Sequence, residues 1–126
     1  MKIFDASAIL NLLEEGTLPD FSESATINLA LYEIGNAVWK QVHLTKRLNQ
    51  SQGEKIILSA SLLIDKMKYI NIDVVNTLKI AVKEGLTFYD ASYIQIAYST
   101  RSELITDDKK LRDKAEKYVE TAGTYV

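Results

Sequence analysis

The sequence predicts an α/β fold in which a parallel sheet is covered by helices on both faces. Three observations carry that expectation. Short β-type runs alternate with stretches of helical period along the chain. The one proline, Pro19, and the five glycines are scattered, so nothing marks a boundary between domains. With 126 residues, 47% hydrophobic and 25% charged, the chain has the size and composition of a single domain, 1–126, with enough apolar residues to fill a core.

The elements follow in order. Lys2-Ile-Phe-Asp5 reads as a short strand and Ala8 to Glu15 as a helix. Gly16-Thr-Leu-Pro-Asp20 is a loop. Ala25-Thr-Ile27 reads as a second strand, leading into a helix from about Leu29 to Leu44. Asn49-Gln-Ser-Gln-Gly53 looks like a second loop. Ile56, Ile57, Ala60, Leu63, Ile64 and Met67 form a helical stripe, suited to covering the sheet or a twin subunit. Tyr69-Ile-Asn-Ile72 is the third strand. Val74, Val75, Leu78, Ala81 and Val82 repeat the helical spacing, and Gly85 sits where a helix would stop. Tyr89 to Thr100 is helical, Glu103-Leu-Ile105 a strand, Lys109 to Lys117 a short helix, and a last strand lies within Tyr118 to Val126. In sheets of this kind the functional site lies beyond the carboxyl ends of the strands.

Composition narrows the chemistry. There is no cysteine, which excludes disulfide scaffolds, thiolate metal sites and cysteine nucleophiles. The single histidine, His43, falls late in a predicted helix and reads as a surface residue. The glycines build no phosphate-binding loop and no nucleophile elbow. A formal charge of −2 excludes a global basic field for nucleic acid and leaves room for a local one. The N-terminus has the lysine and apolar start of a leader, but Asp5 and Asn11 interrupt it. No stretch reaches the length of a membrane span, so the expected location is the cytoplasm.

What remains is carboxylate chemistry. Asp5, Glu33, Asp90 and Asp108 all fall near element ends, where an open α/β sheet gathers its functional groups. Each also has a structural reading. Asp5 caps a helix, Thr87 and Asp90 fit a capping box, Thr106 or Asp107 caps the next helix, and Glu33 is a solvated helix residue. Yet Glu33 borders Ala30, Ile34 and Ala37 on its helix, and Asp90 shares a face with Tyr93, Ile94 and Ala97. The tyrosines are candidates to stack on unpaired bases, but Tyr93 and Tyr98 are spaced like core residues, and packing is the expected role of both. Charges bordering packed faces need a partner, and the sequence puts no obvious basic residue there. A hard divalent cation, Mg²⁺ or Mn²⁺, suits four oxygen ligands and makes phosphodiester hydrolysis plausible.

Four segments then resemble the PIN-domain ribonucleases of the VapC toxin kind. They are Phe4-Asp-Ala-Ser7, Tyr32-Glu-Ile-Gly-Asn36, Leu86-Thr-Phe-Tyr-Asp-Ala-Ser-Tyr-Ile-Gln-Ile-Ala97 and Leu104-Ile-Thr-Asp-Asp-Lys-Lys-Leu111. They stand in the family's order and span almost the whole chain. The resemblance implies a PIN-like three-layer α/β/α domain with a central, mainly parallel sheet of about five strands. It implies an endoribonuclease that hydrolyses RNA by a metal-activated water, with one or two Mg²⁺ or Mn²⁺ ions. Asp5, Glu33, Asp90 and Asp108 match the family's acidic quartet, with Asp107 in place of Asp108 if the last motif is offset. Ser7, Asn36 and Thr106 match supporting polar positions. The expected partners are RNA, a VapB-type antitoxin and a second copy of the chain.

Two basic sets are candidates for RNA phosphates: Lys40, Lys46 and Arg47, and Lys109, Lys110, Arg112, Lys114 and Lys117. The alternative for each is a solvated helix face. Rival functions are a phosphatase or receiver domain, another metal-dependent nuclease, and a non-catalytic RNA-binding or protein-interaction module. A receiver wants an acidic pair by the first strand, and an aspartyl phosphatase wants D-x-D, where this chain has Asp5-Ala-Ser7.

Overall fold

A computed structural model describes residues 1–124, Phe21 by its backbone alone. Five strands, β1 (Lys2–Phe4), β2 (Ser24–Thr26), β3 (Lys68–Tyr69), β4 (Glu103–Ile105) and β5 (Thr121–Ala122), form one sheet. All pairings are parallel and the order is β3-β2-β1-β4-β5. The chain therefore winds outward in one direction from β1 to β3 and in the other through β4 and β5. The gap between β1 and β4 is the topological switch point, where such sheets bind ligands.

Six helices flank the sheet among the described residues: α1 (Ala6–Glu15), α2 (Leu29–Trp39), α3 (Gln50–Asp65), α4 (Val74–Glu84), α5 (Phe88–Ser99) and α6 (Lys109–Ala115). Successive strand residues point to opposite faces, and the core divides accordingly. Ile3, Ala25 and Leu104 pack with Ile94 and Ile96 of α5 and Leu111 of α6. Phe4 and Ile105 pack with Ile9 of α1, Ile34 of α2, and Leu63 and Ile64 of α3. This is the three-layer α/β/α arrangement expected, with every strand parallel.

The expected loop 49–53 is instead the start of α3. Asn49 accepts from the Gln52 amide (2.8 Å), and the Gln52 side chain accepts from the Asn49 amide (2.9 Å). An Asn-x-x-Gln pattern is a helix start, and a glycine one turn further in does not prevent it. The helix expected to run to Leu44 changes at Lys40 into a π-turn, Lys40–Leu44, so only 29–39 is α-helical. The third strand sits at Lys68–Tyr69 rather than 69–72, because the chain leaves the sheet directly after one pair of bridges to β2. The last strand is Thr121–Ala122, and the end of its expected range, 125–126, lies outside the described residues. Gly85 does end α4, in the left-handed conformation at φ 67°.

Gly53 is a close-approach glycine. A Cβ there would stand 2.8 Å from Val42 Cγ2 and 3.2 Å from Val38 Cγ1, so α3 rests directly on α2 and the π-turn. Gly53→Leu is expected to overpack this contact and cost about 1–3 kcal/mol. Urea denaturation should show a lower midpoint at an unchanged slope.

Candidate active site

The site is built on Asp5, the first residue after the central strand β1. Its amide donates to Ile105 O (3.1 Å), which fixes it level with the end of β4. Its side chain caps α1, accepting from the Ala8 amide (2.9 Å) and the Ser7 hydroxyl (2.8 Å) through Oδ1. Thr106, the first residue after β4, donates its hydroxyl to Oδ2 (2.5 Å). Asp5 is 4% exposed. Burial raises its carboxyl above the ordinary aspartate range, the three hydrogen bonds oppose this, and the Asp108 charge adds to the rise.

Glu33 projects from α2 toward the same end of the sheet. Tyr93 of α5, 1% exposed, donates its hydroxyl to Glu33 Oε1 (2.7 Å). Burial raises the Glu33 carboxyl; the tyrosine opposes the rise, and Asp90 and Asp5 add to it. Burial, and after it the same carboxylate, push the Tyr93 hydroxyl far above its ordinary value, so it stays a donor. Asp90 lies in the first turn of α5, whose cap Thr87 accepts from the Asp90 amide (3.1 Å). Burial raises Asp90, as does Asp108, while Lys110 opposes both.

Asp108, not Thr106 or Asp107, is the cap of α6: its Oδ1 accepts from the Leu111 amide (3.1 Å), and its own amide donates to Thr106 Oγ1 (3.0 Å). Asp107 turns the other way. Its carboxylate accepts from Asn11 Nδ2 (2.7 Å) and from the amide (2.7 Å) and hydroxyl of Thr124. Burial pushes Asp107 up, but these bonds and nearby Arg112 outweigh it and leave the group below the ordinary range. The two neighbours thus divide roles: Asp107 ties the chain after β5 to α1, and Asp108 shares a field with Asp5 and Asp90.

Among the supporting residues, Ser7 and Thr106 are brought in. Ser7 Oγ also accepts from the Asp107 amide (3.1 Å), so the hydroxyls of Ser7 and Thr106 lace β1 to the turn after β4. Asn36 sits on an exposed stretch of α2 and joins none of these bonds. Of the basic candidates, Lys110 is the one whose charge reaches the acidic cluster, through Asp90. Lys117 is committed to an ion pair with Glu84 of α4 and leaves the RNA-contact set. Lys40, Lys46 and Arg47 are exposed at and beyond the π-turn, and His43 stacks on Trp39 (5.3 Å between rings), a surface pair as expected.

Sequence reasoning placed both Tyr93 and Tyr98 in the core; Tyr98 is instead 62% exposed, near the end of α5, and the hydroxyl of the buried Tyr93 was missed. The signal was available: a buried tyrosine needs a partner, and Asp90-x-x-Tyr93 puts both groups on one side of a helix. Asn11 was missed because only the fold brings α1 beside Asp107.

The donor set fits a hard divalent cation: carboxylates of Asp5, Glu33 and Asp90 with raised proton affinity, repelling one another, relieved locally by one lysine. Asp5 Oδ2 keeps a lone pair beyond the one that Thr106 uses. Among the described residues no three acidic or histidine side chains stand close enough together to grip an ion as they are.

No protein-family model matches the chain. It is 32% identical over 118 residues to Exonuclease VapC9 of Pyrobaculum aerophilum, covering 90% of this chain and 85% of that protein. It is 27% identical over 122 residues to Ribonuclease VapC3 of the same organism, covering 89% and 92%. The crystal structure of PAE2754 from Pyrobaculum aerophilum has the same fold, with a TM-score of 0.77 at 30% identity over 94% of this chain and 89% of that one. A toxin-antitoxin complex from Klebsiella pneumoniae matches in fold with a TM-score of 0.61 at 17% identity over 87% and 88%.

The raised carboxylates give a signed expectation. A carboxyl whose folded value lies above its unfolded one stabilises the fold below the unfolded value and loses that contribution as pH rises through the folded value. Without added metal, carboxyl NMR titration should place Asp5, Glu33 and Asp90 above the ordinary values of 3.8, 4.5 and 3.8. Tyr93→Phe removes the bond that favours ionised Glu33, so Glu33 should titrate higher still. A fall would show that the hydroxyl does not hold that carboxylate.

Proposed function

The chain belongs to the VapC family, and we propose that it is a metal-dependent endoribonuclease whose Asp5, Glu33, Asp90 and Asp108 hold one or two Mg²⁺ or Mn²⁺ ions. The observation that carries this reading is the buried carboxylate of Asp5 at the switch point of the sheet, facing carboxylates that raise one another's proton affinity. Bound there, a divalent ion supplies Lewis acidity toward a phosphoryl oxygen and a more acidic water.

The residues of the chain have separable roles in this reading. Thr106 and Ser7 hold Asp5 in one rotamer through its two oxygens. Tyr93 holds Glu33 and favours its ionised form against the burial that opposes it. Asp108 and Asp90 complete the field, and Lys110 beside them offers a contact for RNA phosphate. The names of the two relatives differ between an exonuclease and a ribonuclease. Internal cleavage is the mode proposed here, and a circular substrate, which offers no end, separates it from the exonuclease mode.

The same reading treats 1–126 as one domain and gives the protein a VapB-type antitoxin, a second copy of itself, and a place in the cytoplasm. An exposed apolar face on α2 and α3, with Trp39, Leu58 and Leu62 by a groove of about 630 Å³, supports a protein partner. No described helix is long and apolar enough to cross a membrane.

The test uses a labelled circular RNA beside a linear one, with Mn²⁺, Mg²⁺ or chelator. Cleavage of both forms is expected with metal only. Asp5→Asn should lower it by more than about 100-fold, the upper end of what losing a mere outer-shell partner costs. Full activity in the variant would remove Asp5 from the site, and cleavage of the linear form alone would make the enzyme an exonuclease.

A further inference from the structure

A second polar site lies on the other side of α5. Tyr93 faces Glu33, while Gln95 and Tyr98 turn into a cleft of about 830 Å³ bounded by α4 and the segment before it. Gln95 is 5% exposed. Its Oε1 accepts from the Asp73 amide (2.9 Å). An amide proton needs an acceptor, so the orientation of the glutamine is set, and Nε2 is the group left over. That nitrogen has no hydrogen-bond partner among the described residues and is not sealed in, and the residue that carries it lines the cleft. A donor nearly buried at the floor of a cleft is a poor place for an idle group.

The walls have matching chemistry. Lys79 and Lys83 of α4 are one turn apart, exposed, and without an ion pair or hydrogen bond among the described residues. The acidic groups nearby have partners of their own, and Asp73 alone keeps an uncompensated charge at the edge of the cleft. Asp73 caps α4, accepting from the Asn76 amide (3.1 Å) and side chain (2.9 Å). Glu84 is held by Lys117 and by the Tyr118 hydroxyl (2.7 Å). Tyr118 in turn packs edge-on against Tyr98 (6.4 Å between rings), which braces Tyr98 while leaving it 62% exposed. In a chain of net charge −2, a cleft with two free ammonium groups, a braced aromatic ring and a fixed amide donor is a local exception.

We propose that the cleft between α4 and α5 binds a nucleotide unit of single-stranded RNA, with Lys79 and Lys83 on phosphate, Tyr98 stacked on a base, and Gln95 Nε2 donating to a base acceptor. Aromatic stacking with flanking cations is how single strands are held without sequence reading, and the glutamine adds a preference. The proposal rests on the nuclease reading for its source of ligand. Tyr98 lies eight residues beyond Asp90 on the same helix, about 12 Å along it and about 80° around it, so one strand reaches both places by passing round the helix. The cleft then anchors substrate away from the reacting bond. The same chemistry would accept a free nucleotide.

The test is binding, not turnover. Isotope-labelled protein in chelator is titrated with a short oligouridylate, a short oligoadenylate and AMP. The expected result is a shift of the Gln95 side-chain amide signals with an oligonucleotide. Tyr98→Ser should weaken that binding about tenfold. Lys79→Glu with Lys83→Glu should weaken it as well and lower the salt slope by about 1.4. All three positions are exposed, so folding is not at stake. Gln95 signals that ignore RNA, or variants that bind as the wild type does, overturn the proposal. Shifts with AMP alone overturn the RNA source and leave a nucleotide pocket. Shifts that follow protein concentration without ligand mean that a second copy covers the cleft, which also overturns it. Metal-dependent cleavage is followed in parallel. Cleavage with a silent Gln95 sinks only the cleft, and a responsive Gln95 without cleavage sinks only the nuclease reading.

Discussion

The burial of one carboxylate organises this protein. Asp5 follows the central strand, where every neighbouring element converges, and a charge there is costly unless its oxygens are satisfied. The cost is met by parts of the chain far apart in sequence: the Ala8 amide and Ser7 from the first turn of α1, and Thr106 from the end of β4. Those bonds require that β1 and β4 be neighbours in register, with Phe4 opposite Ile105. The strand order and the acidic site are therefore one constraint seen from two sides. A sheet with β4 elsewhere would leave Asp5 Oδ2 buried without the Thr106 hydroxyl, although Oδ1 would keep its donors from α1.

Electrostatics sets how the rest of the site is used. Asp5, Glu33 and Asp90 all hold their protons more tightly than ordinary carboxyls, with burial first and mutual repulsion behind it. Ionised together, they repel one another, and the divalent cation proposed for the site would lessen that repulsion. The hydroxyls oppose the rise, so their effect is to keep the carboxylates charged in surroundings that favour neutrality. Thr106 at Asp5 and Tyr93 at Glu33 are the same device on different elements. Asp107 shows the contrast, since amide and hydroxyl donors and Arg112 bring it below the ordinary range and tie it into the fold.

Most of the fold was legible because its elements obey local rules. Alternating strand and helix patterns gave the layers, and Gly85 ended its helix where a left-handed residue was needed. Legibility failed where two local rules competed. At 49–53 a polar run with glycine suggested a loop, while Asn49 and Gln52 formed a capping box, and the cap won. After Trp39 the apolar spacing continued, but the helix widened into a π-turn beneath the close approach of Gly53, a contact that only the tertiary structure sets. Asp5, Asp90 and Asp108 stood out because they fall near element ends, and Glu33, inside α2, because it borders the packed face of its helix. The choice between Asp107 and Asp108 needed Asn11 and Thr124, which sequence proximity does not bring near. Removing Lys117 from the basic set likewise needed Glu84, on a helix more than thirty residues away.

The helix α5 shows how one element can serve two places. From Ala91 to Ala97 it is buried on every side, so it has no solvent face on which to leave polar groups. Its polar residues must each find a partner. Ser92 donates to the Tyr89 carbonyl, Tyr93 to Glu33, and Gln95 accepts from the Asp73 amide. Ser92 is satisfied within the helix and adds nothing beyond it. Tyr93 is satisfied by a carboxylate of the acidic edge, which ties the helix to the site. Gln95 is satisfied through its oxygen, which fixes the start of α4, and its nitrogen is left facing a cleft edged by lysines. A leucine would fill much of the same space as Gln95 without a donor to leave idle. The retained amide is therefore better explained by what it holds on one side and offers on the other than by packing alone.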